Sequence, residues 1–369
     1  MITVLYVCHA PNTLGGAALS LYNLIRSVSK EVNPIVLLSE RGIVSDFFEA
    51  RGIRCIFFPF IGGIKSKSIL RTIIRIMYEF SIYKLRLLCF ARKISKYKID
   101  IIHSNSSIIT VGYELAKILG IKHIWHIREF IDLDFGFRPM YGWGKLKSKI
   151  YKSDAVIAIT QAVYKHFGLE ANPCSCVLWD AVRSEEDKTL IPIKDKYFFH
   201  SAANLSEGKG TNKVVEAFLM SKLYKTGYKL YLAGNISDAF KAKLQHMAEK
   251  DSAGHSILFL GYVNDTKRYL ERATAFLMMS RNEGLGRVTI ESMFYGCPVI
   301  GYNSAGTIEL LRGNRGVLVN SIEECAITMK IMSERVPLEM ISEAQTFAIE
   351  QFSEESYGGK INLIYNELL

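Results

Sequence analysis

Residues 275–303 read AFLMMSRNEGLGRVTIESMFYGCPVIGYN and contain the pattern that is most informative about the fold. An apolar run, Ala275–Ser280, is followed by a glycine-containing loop, a helical segment that ends near Gly296, and a second apolar run, Pro298–Asn303. Runs that are apolar without alternation are typical of parallel strands that are buried on both faces. The stretch therefore predicts a strand, a helix and a second, parallel strand, which is the repeating unit of an α/β fold.

The same alternation extends along most of the chain in two series of strands. The first series is predicted at Thr3–Cys8, Pro34–Ser39, Arg54–Phe60, Asp100–Asn105, Lys122–Glu129, Ala155–Thr160 and Cys176–Asp180. The second is predicted at Tyr197–Ala202, Tyr228–Gly234, Ile257–Val263, Ala275–Ser280, Pro298–Asn303 and Gly316–Val319. A polar stretch, 182–196, separates them and predicts a linker.

These patterns predict an α/β protein with two Rossmann-like, doubly wound parallel-sheet domains, 1–181 and 197–352, facing each other across a cleft. The last residues, 353–369, predict a helix that can pack back on the first domain. Ligands of such sheets bind outside the carboxyl ends of the strands. We therefore expect the functional residues in the loops that follow the strands.

The composition excludes several classes of protein. The 369 residues are 49% hydrophobic, which argues against global disorder. The seven cysteines form no CxxC pair, so neither a disulfide scaffold nor a zinc ribbon is expected. The start, MITVLYVCHAP, predicts a strand rather than a signal peptide, and no run of about 18 apolar residues predicts a membrane-spanning helix. We expect a cytoplasmic protein.

The formal net charge of +10 is concentrated partly in residues 64–98, which hold ten Lys and Arg residues and one acid, Glu79. The spacing of Arg71, Arg75, Glu79 and Arg86 predicts one charged helical face. The apolar residues on the remainder of the predicted helix are Ile69, Ile73, Ile76, Met77, Phe80 and Leu87. Such a helix favours the surface of an anionic membrane, although an ordinary surface helix with solvated charges fits too. No nucleic-acid-binding motif accompanies the charge.

Three loops carry residues that suit a phosphorylated ligand. Gly15-Gly16 precedes a predicted helix at Ala17–Val28, and Lys209 lies between two glycines after a strand, so each loop could approach a phosphate. The third loop contains Glu283, and Glu291 follows in the next helix. Two carboxylates could bind the hydroxyls of a ribose and a hexose, or they could act as the acid and the base of a hydrolase. A tight turn at the glycine pair and solvated side chains at Lys209 and Glu291 remain alternatives. Neither GxGxxG nor a Walker A loop is present.

The Glu283-x7-Glu291 pair, the Lys209 loop, the Gly15-Gly16 turn and the segments 296–300 and 304–309 resemble the retaining glycosyltransferases of family 4, which have the GT-B fold. The resemblance covers nearly the whole chain. It implies that Lys209 holds the diphosphate of a nucleotide sugar and that Glu291 binds the ribose. It also implies that Glu283 contacts the transferred sugar.

The resemblance assigns further positions around the donor. Backbone amides of the loop would hold sugar hydroxyls and phosphate; the residues concerned are Gly284, Leu285, Gly286, Arg287 and Val288. Gly15 and Gly16 would close over the diphosphate, and Tyr262 and Val263 would border the base. His126 is the candidate for a histidine that faces the donor sugar, and His103 is the second choice. The acceptor side is expected near His103, Arg128 and Glu129.

One position departs from the family pattern. Asn204 occupies a position where the family usually has an arginine for the phosphate, and we hypothesise that Arg287 replaces it. Asp132-Leu133-Asp134 spells the DxD of metal-dependent glycosyltransferases, but it follows His126 in a predicted loop, so we assign it to solvent or to the acceptor side. We expect neither a metal nor a cofactor other than the donor substrate.

The function implied is transfer of a hexose from a nucleotide diphosphate sugar to a hydroxyl of a glycan or lipid-linked acceptor, with retention of the anomeric configuration. The setting implied is bacterial capsule or O-antigen synthesis at the inner face of the plasma membrane, without nucleic acid as a partner. A sugar-nucleotide epimerase or hydrolase and a non-catalytic binding subunit of the same fold are the alternatives. A nicotinamide dehydrogenase is disfavoured because its glycine fingerprint is absent.

Overall fold

The computed structural model describes residues 1–9, 11–60, 62–65, 68–78, 82–191 and 193–369. The chain divides into two compact units. The first unit consists of Met1–Ala181 together with Glu354–Leu369, and the second unit consists of Val182–Ser353. Each unit is built on its own parallel sheet, and each is described separately below.

The described strands of the first unit are β1 (Ile2–Val7), β2 (Val32–Leu38), β3 (Arg54–Phe57), β4 (Ile101–Ser104), β5 (Lys122–Ile127), β6 (Ala155–Ala158) and β7 (Ser175–Val177). They pair in parallel in the order β3-β2-β1-β4-β5-β6-β7. Chain connections leave in opposite directions from β1 and β4, so the switch point of this sheet lies between these two strands.

The described strands of the second unit are β8 (Tyr197–Asn204), β9 (Lys229–Asn235), β10 (Ile257–Gly261), β11 (Ala275–Met278), β12 (Val299–Tyr302) and β13 (Val317–Val319). They also pair in parallel, in the order β10-β9-β8-β11-β12-β13. The switch point of this sheet therefore lies between β8 and β11.

The helices follow the strands in both units. They are α1 (Gly16–Val28), α2 (Ile43–Glu49), α3 (Ile69–Tyr78), α4 (Lys84–Ile94), α5 (Val111–Leu119), α6 (Asp132–Phe135), α7 (Gly142–Tyr151), α8 (Gln161–Phe167), α9 (Thr211–Ser221), α10 (Asp238–Lys250), α11 (Lys267–Leu270), α12 (Arg287–Phe294), α13 (Ala305–Leu311), α14 (Ile322–Glu334), α15 (Leu338–Phe352) and α16 (Glu354–Leu368). None of these described helices combines the length and the apolar character that crossing a lipid bilayer requires.

Alternate residues of β1 show how the first sheet is buried on both faces. Leu5 and Val7 pack in a core with residues of α4 and α5, whereas Val4 and Tyr6 pack in a second core with residues of α1 and α16. Burial on both faces explains why the strands are apolar without alternation. The fold class predicted from the sequence, an α/β protein with two Rossmann-like parallel sheets, is confirmed.

The C-terminal helix α16 is part of the first unit. A Cβ atom at Gly358 would overlap the carbonyl oxygen of Ser27, so α16 and α1 approach each other closely at this glycine. At the start of α16, Glu354 forms an ion pair of 3.0 Å with Arg26. Backbone proximity and this ion pair therefore join α16 to the end of α1.

The segment expected to be a linker, 182–196, is packed against the second unit in its described part; Pro192 lies outside the described residues. The backbone N–H of Thr189 donates to the carbonyl of Phe294 at 3.0 Å. The ammonium of Lys194 donates to the carbonyls of Glu271 and Gly296, each at 2.7 Å. The polar composition predicts a linker, and in the structure polar groups of this segment bind backbone carbonyls of the second unit.

The basic segment 64–98 contains two described helices, α3 and α4, where the sequence suggested one amphipathic helix. Glu79 and Phe80 lie outside the described residues. Leu87 is buried in the first unit's core with Phe90, so it does not belong to an exposed apolar face.

Candidate functional site

Lys209 lies in the turn that joins β8 to α9, at the switch point of the second sheet. Its ammonium donates to Oε2 of Glu283 at 2.9 Å, and Glu283 follows the neighbouring strand β11. Gly210 adopts φ +73°, and a Cβ at this position would overlap the carbonyl of Met279. The turn therefore requires glycine both for its conformation and for its close approach to the end of β11.

The loop that carries Glu283 is supported by the segment that follows β12. The hydroxyl of Ser304 donates to the carbonyl of Arg281 at 2.5 Å, and the N–H of Gly306 donates to the carbonyl of Glu283 at 3.0 Å. A Cβ at Gly306 would overlap the carbonyl of Gly284. This backbone contact fixes the position from which the Glu283 side chain extends toward Lys209.

Glu291 lies in α12 and is only 8% exposed. Its Oε1 accepts a hydrogen bond from Nη2 of Arg183 at 3.0 Å, and its Oε2 accepts one from the hydroxyl of Thr266 at 2.9 Å. Burial alone would lower the pKa of Arg183, but the Glu291 carboxylate raises it above its ordinary value. Arg183 thus stays a cation, and together with Thr266 it fixes the direction of the carboxylate.

A buried histidine supports the Lys209 turn. His200, on β8, donates from Nδ1 to the carbonyl of Leu277 at 2.8 Å, and its Nε2 lies 3.0 Å from the hydroxyl of Thr211 at the start of α9. Burial lowers the pKa of His200 to about 4. A neutral imidazole therefore joins β8, β11 and α9 immediately below the turn.

The charged groups of this site suit two kinds of ligand group. A cation, Lys209, touches a carboxylate, Glu283, and α12 begins four residues beyond that carboxylate. The first N–H groups of a helix have no acceptor inside it and attract anions. One side of this site therefore suits phosphate oxygens, and the carboxylates suit the hydroxyls of a sugar.

The remaining positions predicted for a donor lie at or near the carboxyl ends of their strands. Asn204 is the last residue of β8, and Arg287 and Val288 open α12 after Leu285. Tyr262 is half exposed just after β10, and Val263 follows it. In the first unit, Gly15 and Gly16 come at the start of α1. The ligand contacts assigned to these residues stay predictions.

In the first unit, His103 and His126 lie inside a buried polar network. Nε2 of His103 is 3.2 Å from Nδ1 of His126, and Nδ1 of His103 is 2.9 Å from the hydroxyl of Tyr365 on α16. Both imidazoles are fully buried, and this burial, reinforced by the Arg128 charge, holds the pKa of each well below its ordinary value. This placement suits hydrogen bonding within the core, and a contact between His126 and a sugar stays a prediction.

Arg128 and Glu129, the predicted acceptor-side pair, have separate partners. The guanidinium of Arg128 pairs with Asp180 and donates from Nε to Oδ1 of Asn105 at 2.8 Å. Oε1 of Glu129 accepts from the hydroxyl of Ser107 at 2.6 Å and from its N–H at 2.7 Å. Both residues follow β5, next to β4 at the switch point of the first sheet.

The DxD sequence lies in a short helix, α6, where a loop was expected. Asp132 is 2.9 Å from Nε2 of His166, and Asp134 accepts the N–H of Phe130 at 2.9 Å. Across the described part of the chain, no group of three His, Cys, Asp or Glu side chains is arranged to hold a metal ion.

Three residues with clear partners in these clusters were not identified from the sequence. Arg183 lies in the predicted linker, Thr266 follows the predicted base-binding turn, and Asp180 ends a predicted strand. Each is a single polar residue without a motif. The hydrogen bonds that reveal them join positions far apart in the chain, such as Arg183 and Glu291.

Comparison with known families places the second unit in context. Residues 182–333 match the family model described as glycosyl transferases group 1. EpsD of Bacillus subtilis (strain 168) is 24% identical over 264 residues, which is 64% of this chain and 68% of EpsD. The lipopolysaccharide core biosynthesis mannosyltransferase LpcC of Rhizobium leguminosarum bv. viciae is 29% identical over 171 residues, or 44% of this chain and 48% of LpcC.

Solved structures share the fold. HepE of Anabaena, crystallised in complex with UDP, superposes with a TM-score of 0.82 at 17% identity, covering 100% of both chains. At this identity the similarity speaks for the fold alone, and it agrees with the two parallel-sheet units described above.

Proposed function

We propose a specific reaction for this chain, which matches the glycosyl transferases group 1 model at 182–333 and has the GT-B fold. The protein moves a hexose from a nucleotide diphosphate sugar to a hydroxyl of a lipid-linked glycan, and it retains the anomeric configuration. The product contributes to a bacterial surface polysaccharide.

The single observation that carries this proposal is the 2.9 Å contact between Lys209 and Glu283 at the switch point of the second sheet. A diphosphate needs a cation, and the sugar attached to it needs acceptors for its hydroxyls. A cation and a carboxylate in direct contact provide the two subsites side by side. When a donor binds, Lys209 can neutralise the phosphate that would otherwise repel Glu283.

The same contact suggests how the bond breaks. As the sugar becomes oxocarbenium-like, negative charge develops on the departing diphosphate. Lys209 and the amide dipoles at the start of α12 stabilise that charge, and we propose that they do so without a metal ion. Arg287, the first residue of α12, is proposed to supply the charge that Asn204 lacks. If the Arg287→Ala variant binds the donor as tightly as wild type, Arg287 does not supply this charge.

Two features support a lipid-linked acceptor at the cytoplasmic face of the membrane. LpcC, a relative that covers part of the chain, takes its name from lipopolysaccharide core biosynthesis. The first unit also presents an exposed apolar surface, defined here as the α3–α4 surface. Its residues are 45–67% exposed: Leu70, Ile73, Ile74, Met77, Ile82, Leu85 and Leu88.

Cationic side chains accompany the apolar residues of the α3–α4 surface. Arg71 and Arg75 on α3 and Lys84 and Arg86 on α4 are exposed beside the apolar residues. Among the described residues of 62–98 there is no acidic side chain. Apolar groups that enter the acyl boundary, flanked by cations that face headgroups, fit the surface of an anionic bilayer. We propose that the α3–α4 surface binds the membrane in which the acceptor is anchored.

The reaction is tested by incubating the protein with individual nucleotide sugars, with and without lipid-linked acceptors extracted from bacterial membranes. The expected result is a glycolipid that forms only with acceptor present. Proton NMR should show the same anomeric configuration in donor and product. Conversion of the donor without acceptor would favour the epimerase or hydrolase alternative. Donor binding without any turnover would favour a non-catalytic binding subunit.

A further inference from the structure

Thr289, in the first turn of α12, has an unusual hydroxyl group. The residue is 1% exposed, and within the described part of the chain its Oγ1 has no hydrogen-bond partner. Buried polar groups in proteins are nearly always hydrogen-bonded, because an unmet hydrogen bond in a dry environment costs free energy. An exception next to a candidate ligand site indicates a partner that arrives from outside.

Ser292, one turn further along α12, shows what such a hydroxyl usually does. Ser292 is completely buried, and its Oγ donates to the carbonyl of Val288 at 2.7 Å. A Ser or Thr inside a helix commonly donates in this way to the carbonyl four residues earlier. Thr289 is the third residue of α12, and the residue four positions before it, Leu285, lies outside the helix, so no bond of this kind is formed by its hydroxyl. The two residues therefore form a natural pair for comparison.

The hydroxyl of Thr289 lies toward the start of α12. A Cβ placed on Gly286 would be 3.3 Å from Thr289 Oγ1 and 3.3 Å from Cγ of Glu283. Gly286 adopts φ +75°, which favours glycine and leaves that point empty. The unpartnered oxygen thus lies beside the Glu283 side chain and at the end of the helix where the N–H groups favour an anion.

We propose that the Thr289 hydroxyl donates a hydrogen bond to a phosphate oxygen of the bound nucleoside diphosphate. The inference rests on the proposed function and adds a donor-binding residue to it. A phosphate oxygen is a strong acceptor, and Thr289 then acts from the same side as the first N–H groups of α12. In this arrangement Lys209 contacts the diphosphate from the turn that follows β8, on the other side of the switch point.

The test compares Thr289→Val, Thr289→Ser and Ser292→Ala by thermal melting and by calorimetric titration with UDP, GDP, ADP and TDP. Thr289→Val keeps the shape and removes the hydroxyl, so the ligand-free melting temperature should be unchanged or higher. The Kd for the nucleoside diphosphate that binds wild type should rise about tenfold or more, as expected for a lost hydrogen bond to a charged group. Thr289→Ser should bind like wild type.

Ser292→Ala is the matched control, because its hydroxyl already has an internal partner. It should lower the ligand-free melting temperature and leave the Kd unchanged. The inference is overturned if Thr289→Val melts lower than wild type without ligand and binds nucleoside diphosphates equally well, because the hydroxyl then serves the fold. A Kd that rises for the nucleotide sugar but not for the nucleoside diphosphate also overturns it, since the partner is then a sugar hydroxyl. If wild type binds none of the nucleotides, the proposed function fails together with this inference.

Discussion

The ammonium group of Lys209 and the carboxylate of Glu283 are 2.9 Å apart, although the residues follow different strands and are separated by 74 positions. Because β8 and β11 are neighbours at the switch point, their carboxyl ends bring the two loops together. The pair is partly shielded from water, with side-chain exposures of 39% and 17%. A donor that enters here meets both charges at once.

Removing either charge should lower kcat, and removing the charge of Lys209 should also weaken donor binding. Lys209→Ala should raise the donor Kd by about 10- to 100-fold, because a charged hydrogen bond to phosphate contributes about 1.5–3 kcal/mol. Glu283→Gln should lower kcat by roughly 100-fold with a smaller change in Kd, as for other groups that stabilise a transition state. Lys243→Ala removes an exposed ion pair with Glu207 in the same unit and should change neither parameter. Equal donor affinity in Lys209→Ala and wild type would contradict the assignment.

The ion pair between Arg183 and Glu291 should be important for donor binding. Arg183→Ala leaves the Glu291 carboxylate without its cation, and we expect the donor KM to rise roughly 5- to 10-fold, a loss of about 1 kcal/mol, with little change in kcat. Arg183→Lys should recover part of the affinity. Arg272→Ala, which breaks the exposed pair with Asp195, is the control. A lower KM in Arg183→Ala would mean that Arg183 competes with the ligand for Glu291.

Two glycines with similar backbone angles allow the packing of the Lys209 turn to be tested. Gly210 has φ +73° and is in contact with the end of β11, whereas Gly227 has φ +86° and open space around it. Gly227→Ala should cost about 1–2 kcal/mol through its backbone alone. Gly210→Ala should cost about 1–3 kcal/mol more through overlap, and it should also weaken donor binding. Chemical denaturation of both variants, followed by circular dichroism, measures the difference in their free energies of unfolding.

The stability of the second unit should fall in mild acid. The pKa of His200 is about 4 in the folded protein because of burial, against about 6.5 when exposed. The unfolded chain therefore binds more protons between pH 6.5 and pH 4, and stability decreases as the pH falls through this window, by up to about 3 kcal/mol. Hydrogen exchange of the whole chain at several pH values, read by mass spectrometry on peptides from the second unit, would report this slope of stability against pH.

His200→Gln should reduce that pH dependence, since glutamine does not titrate. His246→Gln, at an exposed position on α10, should leave the slope as it is. A slope that is the same in His200→Gln and wild type would show that other groups cause the acid sensitivity.

The α3–α4 surface should bind anionic vesicles. Ile74 is 55% and Met77 67% exposed, so the variant Ile74→Ser/Met77→Ser should remain folded while losing apolar area for insertion. We expect roughly tenfold weaker co-sedimentation with phosphatidylglycerol vesicles, and weak binding of wild type to phosphatidylcholine vesicles. Ile331→Ser, at an exposed apolar position of the second unit, is the control. Undiminished vesicle binding by the double variant would assign membrane contact to another surface.

The parallel sheets and the Lys209–Glu283 neighbourhood could be predicted because they depend on local patterns. Apolar runs separated by helical segments specify the strands, and the loops after neighbouring strands must meet at one edge of the sheet. The predicted strand ends differ by a few residues from the observed ones. Val177, for example, ends β7, although the apolar pattern extended to Asp180.

The surroundings of His126 could not be predicted in the same way. The resemblance to the glycosyltransferase family implies that His126 faces the donor sugar, and that contact stays a prediction. In the structure, Tyr365 of α16 reaches His103 beside it, and Tyr357 of α16 lies 3.3 Å from Asp180. A helix more than 200 residues away in sequence therefore covers this part of the sheet, and no local pattern around His126 reports that contact.

The proposed function depends on binding of the nucleotide diphosphate sugar by Lys209, Glu283 and Glu291 of the second unit. The most direct measurement is a crystal structure of the whole chain with the nucleoside diphosphate that binds it in calorimetry. We predict electron density for the diphosphate within hydrogen-bond distance of Lys209 Nζ and for the ribose hydroxyls at Glu291. A nucleotide bound elsewhere, with the 2.9 Å contact between Lys209 and Glu283 undisturbed and Glu291 unoccupied, would contradict the claim.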